Sequence, residues 1–287
     1  MPNRNVELPI ADGFHSVYFL ELFARQPFAF DDAGFRRKLE ASFGSVTANS
    51  SEKMYHYFLN GIPVPFKEGN GAAQVLVSWH EPTGRSGWNL VDSIRQSRRL
   101  PEVAERLAGC PHRAIMNDFM SSPLDHRTRR RNLATALHAV VENSNVDLVH
   151  FVPTQEFLDA REASKQLSTP EQLPNPIYGF LNVRFFTITD SDGAMVMDTL
   201  GLSAVGLTDI QIHYRQLDPG AVAGLMYSLG TYLFERGDII DAGQTVQGIP
   251  PESKWRCQRE ISLLEPKRLV IDINPGPALA AGNRGPR

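Results

Sequence analysis

Asp209–Gly237 reads DIQIHYRQLDPGAVAGLMYSLGTYLFERG and sets a strand directly before a helix. DIQIHY reads as the strand. Asp218 is placed to cap a helix, and Pro219 suits its first position, where a missing N–H costs nothing. Val222, Leu225, Met226, Leu229 and Leu233 then mark one helical face that ends at Gly237. Three short strands follow, near Gln244–Gly248, Trp255–Ile261 and Arg268–Ile273. A helix followed by consecutive strands, with hairpins elsewhere in the chain, argues for an α+β fold. Its sheets are mixed and largely antiparallel with helices packed on one face, in preference to a doubly wound parallel sheet.

Working outward, Tyr178–Ile188 and Ala194–Thr199 read as strands joined by a turn at Asp190-Ser191-Asp192-Gly193. Before them STPEQLPNP, residues 168–176, holds three prolines and is the clearest linker in the chain. It divides residues 1–168 from residues 177–275 as two α+β subdomains, and the Pro-, Gly- and Ala-rich residues 276–287 read as a frayed tail. In the first subdomain FHSVYFLELF (Phe14–Phe23) reads as a strand, and Asp31 as the cap of a helix carrying Phe35, Leu39 and Phe43. KMYHYFL (Lys53–Leu59) runs into Asn60-Gly61, the dipeptide of tight hairpins, and AQVLVSW (Ala73–Trp79) supplies a further strand. Pro63 and Pro65 restrict the segment between them to an edge strand or a loop. Pro101–Leu107 reads as a short helix, Arg113–Met120 as a strand, and Ser122-Pro123-Leu124-Asp125 as the start of a long helix with Leu133, Leu137, Val140 and Val141 inward. Val146–Val152 reads as a strand and Thr154–Leu167 as a helix.

The chain has 287 residues, about twice a typical domain, with 42 % hydrophobic and 21 % charged residues, which excludes fibrous and wholly disordered classes. Two cysteines, Cys110 and Cys257, are too few for a disulfide framework. The first residues lack the apolar core of a secretory signal, and no run of about 18 apolar residues occurs, so the expectation is a soluble cytosolic protein.

Catalytic motifs are scarce. Walker, GxGxxG and GxSxG patterns are missing, and GLSAVG (Gly201–Gly206) has the spacing of a loop. His80-Glu81 is half of a zincin pattern without its second histidine; Asp190, Asp192 and Gly193 begin an EF-hand-like loop that no glutamate closes. Cys257, with Arg256 and Arg259 beside it and His213 as a distant base, is the one nucleophile candidate, against the simpler reading of a small buried thiol. No catalytic residue, metal or cofactor is assigned.

Charge is unevenly distributed. Formal net charge is −3, from 29 Lys+Arg and 32 Asp+Glu. Residues 95–131 nevertheless carry nine arginines against four carboxylates, and residues 186–252 carry nine carboxylates against two arginines. The readings are two solvated faces or mutual neutralisation across an interdomain contact, and, against these, an acidic surface offered to a basic partner. A nucleic-acid role for Arg127–Arg131 is weaker, because the run lacks interleaved aromatics.

Met197–Gly248 resembles the bacterial domain of unknown function 4261 family, in the GLSAVGLTDIQ strand entry (Gly201–Gln211), the LDP helix start (Leu217–Pro219) and YLFERGDIIDAGQT (Tyr232–Thr245). DLVHFVPTQEF (Asp147–Phe157) and PIYGFLNVRFF (Pro176–Phe186) look like the family's order upstream. The resemblance brings no catalytic residues, and some members look like parts of bacterial toxin–immunity or secretion-linked loci. The resulting expectation is a non-enzymatic, cytosolic protein-binding module, an immunity protein that masks a type VI secretion-type toxin with a basic surface. Direct nucleic-acid and membrane partners are not expected. Asp190, Asp192, Asp238 and Asp241 would steer the partner, with Tyr214, Tyr232 and Trp255 as anchors. The alternatives are an enzyme with an unrecognised site and a secretion-linked adaptor or chaperone.

Overall fold

The computed structural model describes residues 17–80, 90–168, 176–191, 193–250 and 252–282. They form two compact units. One takes the described residues up to Asn182 together with Ala204–Gly206; the other takes Val183–Ser203 and the described residues from Leu207. The boundary therefore falls beyond the proline-rich segment, of which residues 169–175 lie outside the described residues.

The N-terminal unit contains β1 (Phe19–Ala24), α1 (Asp32–Phe43), β2 (Val46–Ser51), β3 (Met54–Phe66), β4 (Gly69–His80), α2 (Leu90–Gln96), α3 (Val103–Ala108), β5 (His112–Asn117), α4 (His126–Glu142), β6 (Leu148–Phe151), β7 (Glu156–Asp159) and α5 (Ala160–Leu167). Its sheet runs β2-β3-β4-β5-β1-β6-β7 with antiparallel pairs throughout. Leu20 lies opposite Met116, and Met116 opposite Val77, so these share a face with Tyr57. On that face α1 sets the Phe35 ring 4.8 Å from Tyr57, and α4 and α5 continue the layer. The other face carries Phe23, Leu148 and Phe157, covered by Leu100, Val103 and Cys110 with Leu90, Ile94 and Leu107 of the short helices. Helices thus flank this sheet on both sides.

Three local expectations change. Asn60-Gly61 is not a hairpin turn: β3 continues through it with a register shift between Leu59 and Pro63, and the chain reverses at Lys67-Glu68. Gly61 is required there, because a Cβ would lie 2.4 Å from the Phe43 carbonyl oxygen. Pro63 and Pro65 occupy the part of β3 beyond the end of β2, where among the described residues no outer strand pairs with them and their missing N–H groups break no ladder there. The α4 cap is Asp125, which accepts from the N–H groups of Arg127 and Thr128, so Ser122 precedes the helix. Glu156–Asp159 is strand β7, paired with β6 across a 3-10 turn in which Gln155 is left-handed, and the helix starts only at Ala160 behind its cap Asp159.

The C-terminal unit contains β8 (Asn182–Thr187), β9 (Met195–Leu200), β10 (Asp209–Tyr214), α6 (Pro219–Arg236), β11 (Thr245–Gln247), β12 (Lys254–Ile261) and β13 (Leu269–Asn274), except that Asn182, the first residue of β8, belongs to the N-terminal unit. Its six strands run β11-β12-β13-β10-β9-β8, with the pairs β9–β10, β11–β12 and β12–β13 antiparallel and β10–β13 parallel. The fold class is α+β. Asp218 caps α6 by accepting from the Ala221 N–H, and Gly237, at φ 86°, ends it. Pairing across β9, β10, β13 and β12 puts Met197, Ile212, Ile273 and Cys257 on one face. The stripe Val222, Met226, Gly230, Leu233 and Phe234 of α6 can bury itself only there, because the other face is polar. Residues 276–282 are not frayed: the Leu279 carbonyl accepts from the Arg215 N–H at 2.8 Å, Ala280 bridges Tyr214, and Ala281 is buried.

Candidate functional site

The polar face of the C-terminal sheet carries most of this unit's buried chemistry. Asp198 of β9 is opposite Gln211 of β10, and Gln211 is opposite Asp272 of β13, so strand parity alone stacks these side chains on one side. Asp198 accepts from Arg184 Nε at 2.9 Å and Nη2 at 2.6 Å, and from Arg268 Nη2 at 2.7 Å. Arg268 Nε donates to Asp209 at 3.0 Å, and Asp209 also accepts from the hydroxyls of Ser203 and Thr199 and from the Leu202 N–H. All four charged residues are buried, and two arginines balance two carboxylates. A closed set of this kind avoids the penalty of an unpaired buried charge.

Beside it lies a second cluster. Gln211 Nε2 is 3.3 Å from both Glu260 Oε1 and Asp272 Oδ1, while Gln211 Oε1 accepts from the Leu263 N–H at 2.8 Å, which fixes the orientation of the amide. His213 Nε2 is 3.9 Å from Asp272 Oδ1. One ligand atom each from His213, Glu260 and Asp272 lie within 4.8 Å of one another, an imidazole and two carboxylates that suit a divalent ion.

The cysteine–histidine pairing fails on strand parity. Cys257 is opposite Ile273, on the apolar face, whereas His213 shares the polar face with Gln211, so the sheet separates them. Burial pushes the Cys257 thiol up to about 11, and the nearby Asp272 carboxylate adds to that, the reverse of what activates a nucleophile.

A third feature is a groove of about 590 Å³ between α6 and the edge strand β11, lined by Leu225, Leu229, Tyr232, Ile239, Ile240 and Val246 among others. Tyr232 is 44 % and Ile239 46 % exposed, both large side chains beside the half-buried Leu225 and Leu229.

The expected partner-binding residues separate accordingly. Tyr232 lines the groove, and Asp241 is exposed next to it, 4.0 Å from Arg259. Asp238 is engaged, accepting from Thr208 Oγ1 at 2.6 Å and Arg259 Nη1 at 3.0 Å. Asp190 is exposed at the β8–β9 turn with φ 59°, and Asp192 lies outside the described residues. Tyr214 and Trp255 are core residues, 1 % and 3 % exposed, so neither side chain is offered to a partner. Tyr214 Oη lies 3.3 Å from Met195 Sδ, and burial pushes its pKa up to about 12.

Part of the uneven charge along the chain cancels inside each unit. Asp198 and Asp209, two of the nine carboxylates in the acidic stretch, are internal and paired. In the basic stretch Arg129 pairs with buried Asp118, Arg113 with Glu21 at 3.0 Å, Arg99 with Glu156 at 3.1 Å and Arg106 with Asp159 at 2.6 Å.

One further constellation has no counterpart in any sequence motif. His150 Nε2 is 3.0 Å from Ser93 Oγ and its Nδ1 is 2.8 Å from Glu21 Oε2, the geometry of a hydrolase relay. All three residues are buried, and the imidazole stacks on Phe157 at 4.3 Å and 12°. These bonds join α2 to the sheet, and the serine is not presented to a substrate. No local motif could have revealed it, since its members come from β1, α2 and β6.

Residues 198–274 match the family model for a domain of unknown function, DUF4261. The DUF4261 segment opens at Asp198 on β9 and closes at Asn274, the end of β13. It contains Asp209, the His213 cluster, α6 and the groove, and it leaves out the first 197 residues of the chain, Arg184 among them. Compared with the resemblance read from sequence, the match extends further on the C-terminal side, through β12 and β13, and does not include the upstream stretches Asp147–Phe157 and Pro176–Phe186. No curated protein and no solved structure matches the chain.

Proposed function

We propose that this chain is a non-enzymatic protein-binding module, an immunity protein of the bacterial cytosol that neutralises a toxin by covering it, and that the groove between α6 and β11 is its docking surface. The observation that carries this reading is the pair Tyr232 and Ile239. Large apolar side chains clustered on a surface mark contact sites, and an aromatic anchor beside aliphatic ones is the composition of a binding hot spot. Strand β11 at the sheet edge leaves backbone groups that a partner's extended segment can pair with. Asp241 on the rim, with Glu235 exposed at the end of α6, favours a basic partner, chiefly by speeding encounter.

Two further points support the reading. The groove lies inside the DUF4261 segment. Among the described residues no helix is long and apolar enough to cross a membrane. The test is co-expression with the product of the adjacent gene: this reading predicts co-purification and rescue from that product's toxicity. A non-toxic neighbour, or no protection, would refute it. An adaptor or chaperone would bind the same product and leave its toxic activity intact.

A further inference from the structure

The polar face of the C-terminal sheet contains a donor set that the proposed docking function does not use. His213 projects from β10, Asp272 from the adjacent β13, and Glu260 from β12 beyond it. The parallel pairing of Gln211 with Asp272 and the antiparallel pairing of Glu260 with Val270 hold all three on one face, on neighbouring strands of a rigid sheet. Asp272 is fully buried, His213 is nearly so, and Glu260 is part-exposed, so the cluster reaches solvent on the Glu260 side.

Two features distinguish this cluster from the ion-pair network beside it. In that network each carboxylate is met by a guanidinium. In the cluster two carboxylates converge on the same amide nitrogen of Gln211, whose orientation is fixed by the Leu263 N–H. Two carboxylate oxygens held this close on neighbouring strands of one sheet can share a single cation between them. The second feature is the third ligand, an imidazole nitrogen 3.9 Å from the Asp272 oxygen.

We infer that His213, Glu260 and Asp272 bind one divalent transition-metal ion of the zinc or manganese class. Zinc holds nitrogen and oxygen ligands at about 2.0–2.2 Å, which puts tetrahedral ligands about 3.4 Å apart. The separations in the cluster, all within 4.8 Å, reach that spacing by small rotations of the side chains, with Glu260 freest to move at the solvent side. Three protein ligands leave a coordination position for water or for a group from outside. An imidazole with two carboxylates matches the preferences of zinc, manganese and cobalt, and it lacks the thiolate that would select copper(I). Cys257, on the opposite face of β12, takes no part.

The test uses the purified full-length chain stripped with a chelator, titrated with zinc chloride by calorimetry and with cobalt chloride by visible absorption. The expected result is one ion per chain, a raised thermal midpoint with zinc, and a cobalt spectrum free of thiolate charge transfer. His213→Gln and Glu260→Gln each lower affinity at least tenfold, while Cys257→Ser leaves it unchanged. X-ray absorption on the zinc-loaded wild type reads nitrogen and oxygen donors only, a readout that does not depend on any variant folding. No saturable binding by the wild type, sulfur in the zinc shell, or affinity unchanged in folded His213→Gln and Glu260→Gln overturns the inference. None of these results bears on the groove, so the two readings stand or fall separately.

Discussion

Replacing Asp198 by asparagine tests whether the acidic stretch of the sequence is internal. The aspartate accepts three N–H groups, at 2.9 and 2.6 Å from Arg184 and 2.7 Å from Arg268, in a buried set whose two arginines and two carboxylates balance. An asparagine side chain is nearly the same size, yet it removes the charge and turns an NH2 group toward guanidinium donors. The set is left with one excess positive charge out of water. Removing one partner of a buried ion pair costs about 3–5 kcal/mol. Counting bonds gives a similar figure, since losing two hydrogen bonds to charged groups at about 1.5–3 kcal/mol each comes to about 3–6 kcal/mol. We therefore expect a loss of about 4 kcal/mol, a large share of the ~5–15 kcal/mol that holds a typical domain together. Urea unfolding at neutral pH followed by far-UV circular dichroism measures it, with Asp190→Asn as the control. That change removes the same charge from an exposed turn and should shift stability by no more than about 0.5 kcal/mol. The double variant Asp198→Leu with Arg184→Leu restores the balance and should recover most of the loss. A cost below about 1 kcal/mol for Asp198→Asn, or equal costs for Asp198→Asn and Asp190→Asn, would show that the Asp198 carboxylate is not held in a buried, balanced ion-pair set.

Glu156 predicts a pH dependence. Burial pushes its carboxyl from 4.5 up to about 7, and the Arg99 guanidinium offsets only part of that. The native state then holds more protons than the unfolded state between these values, so stability falls as pH rises from about 4.5 to 7, by about 3 kcal/mol, and is level above. Glu156→Gln should abolish this fall and exceed the wild type in stability at pH 8; a stability difference from wild type that does not change with pH contradicts it. Cys257, buried with its thiol pushed up to about 11, should react with a disulfide reagent at pH 7.5 only as fast as the chain opens, and rapid native-state labelling of that thiol, followed by peptide mapping, would be inconsistent with the sheet geometry.

The elements readable from sequence are those whose signals are local. Asp218, Pro219 and an apolar stripe announce α6, and its structure agrees to the residue at Pro219 and within one at Gly237. Asn60-Gly61 misleads because its hairpin preference is outweighed by the pairing of Val64 and Phe66 with β4. Glu156–Asp159 misleads because four residues cannot declare a period, and β6 decides their state. Charge misleads for another reason: a window counts neighbours in the chain, whereas Arg113 meets Glu21 92 positions away and Arg268 meets Asp198 70 away. Tyr214 and Trp255 look like anchors until strand register assigns them to the core. The His213 cluster is invisible before the fold is known, because the parallel pairing of β10 with β13 is what brings Asp272 beside Gln211.

If the groove between α6 and β11 is the docking surface proposed above, its exposed apolar side chains set the affinity for the partner. The deciding quantity is the dissociation constant of the full-length chain for the product of the adjacent gene, the proposed partner, compared with Tyr232→Ala and Ile239→Asp. Both side chains are exposed, so the account predicts unchanged thermal midpoints with affinity weakened at least tenfold in each variant and protection lost in the double variant. Wild-type affinity and full protection in the double variant would contradict it.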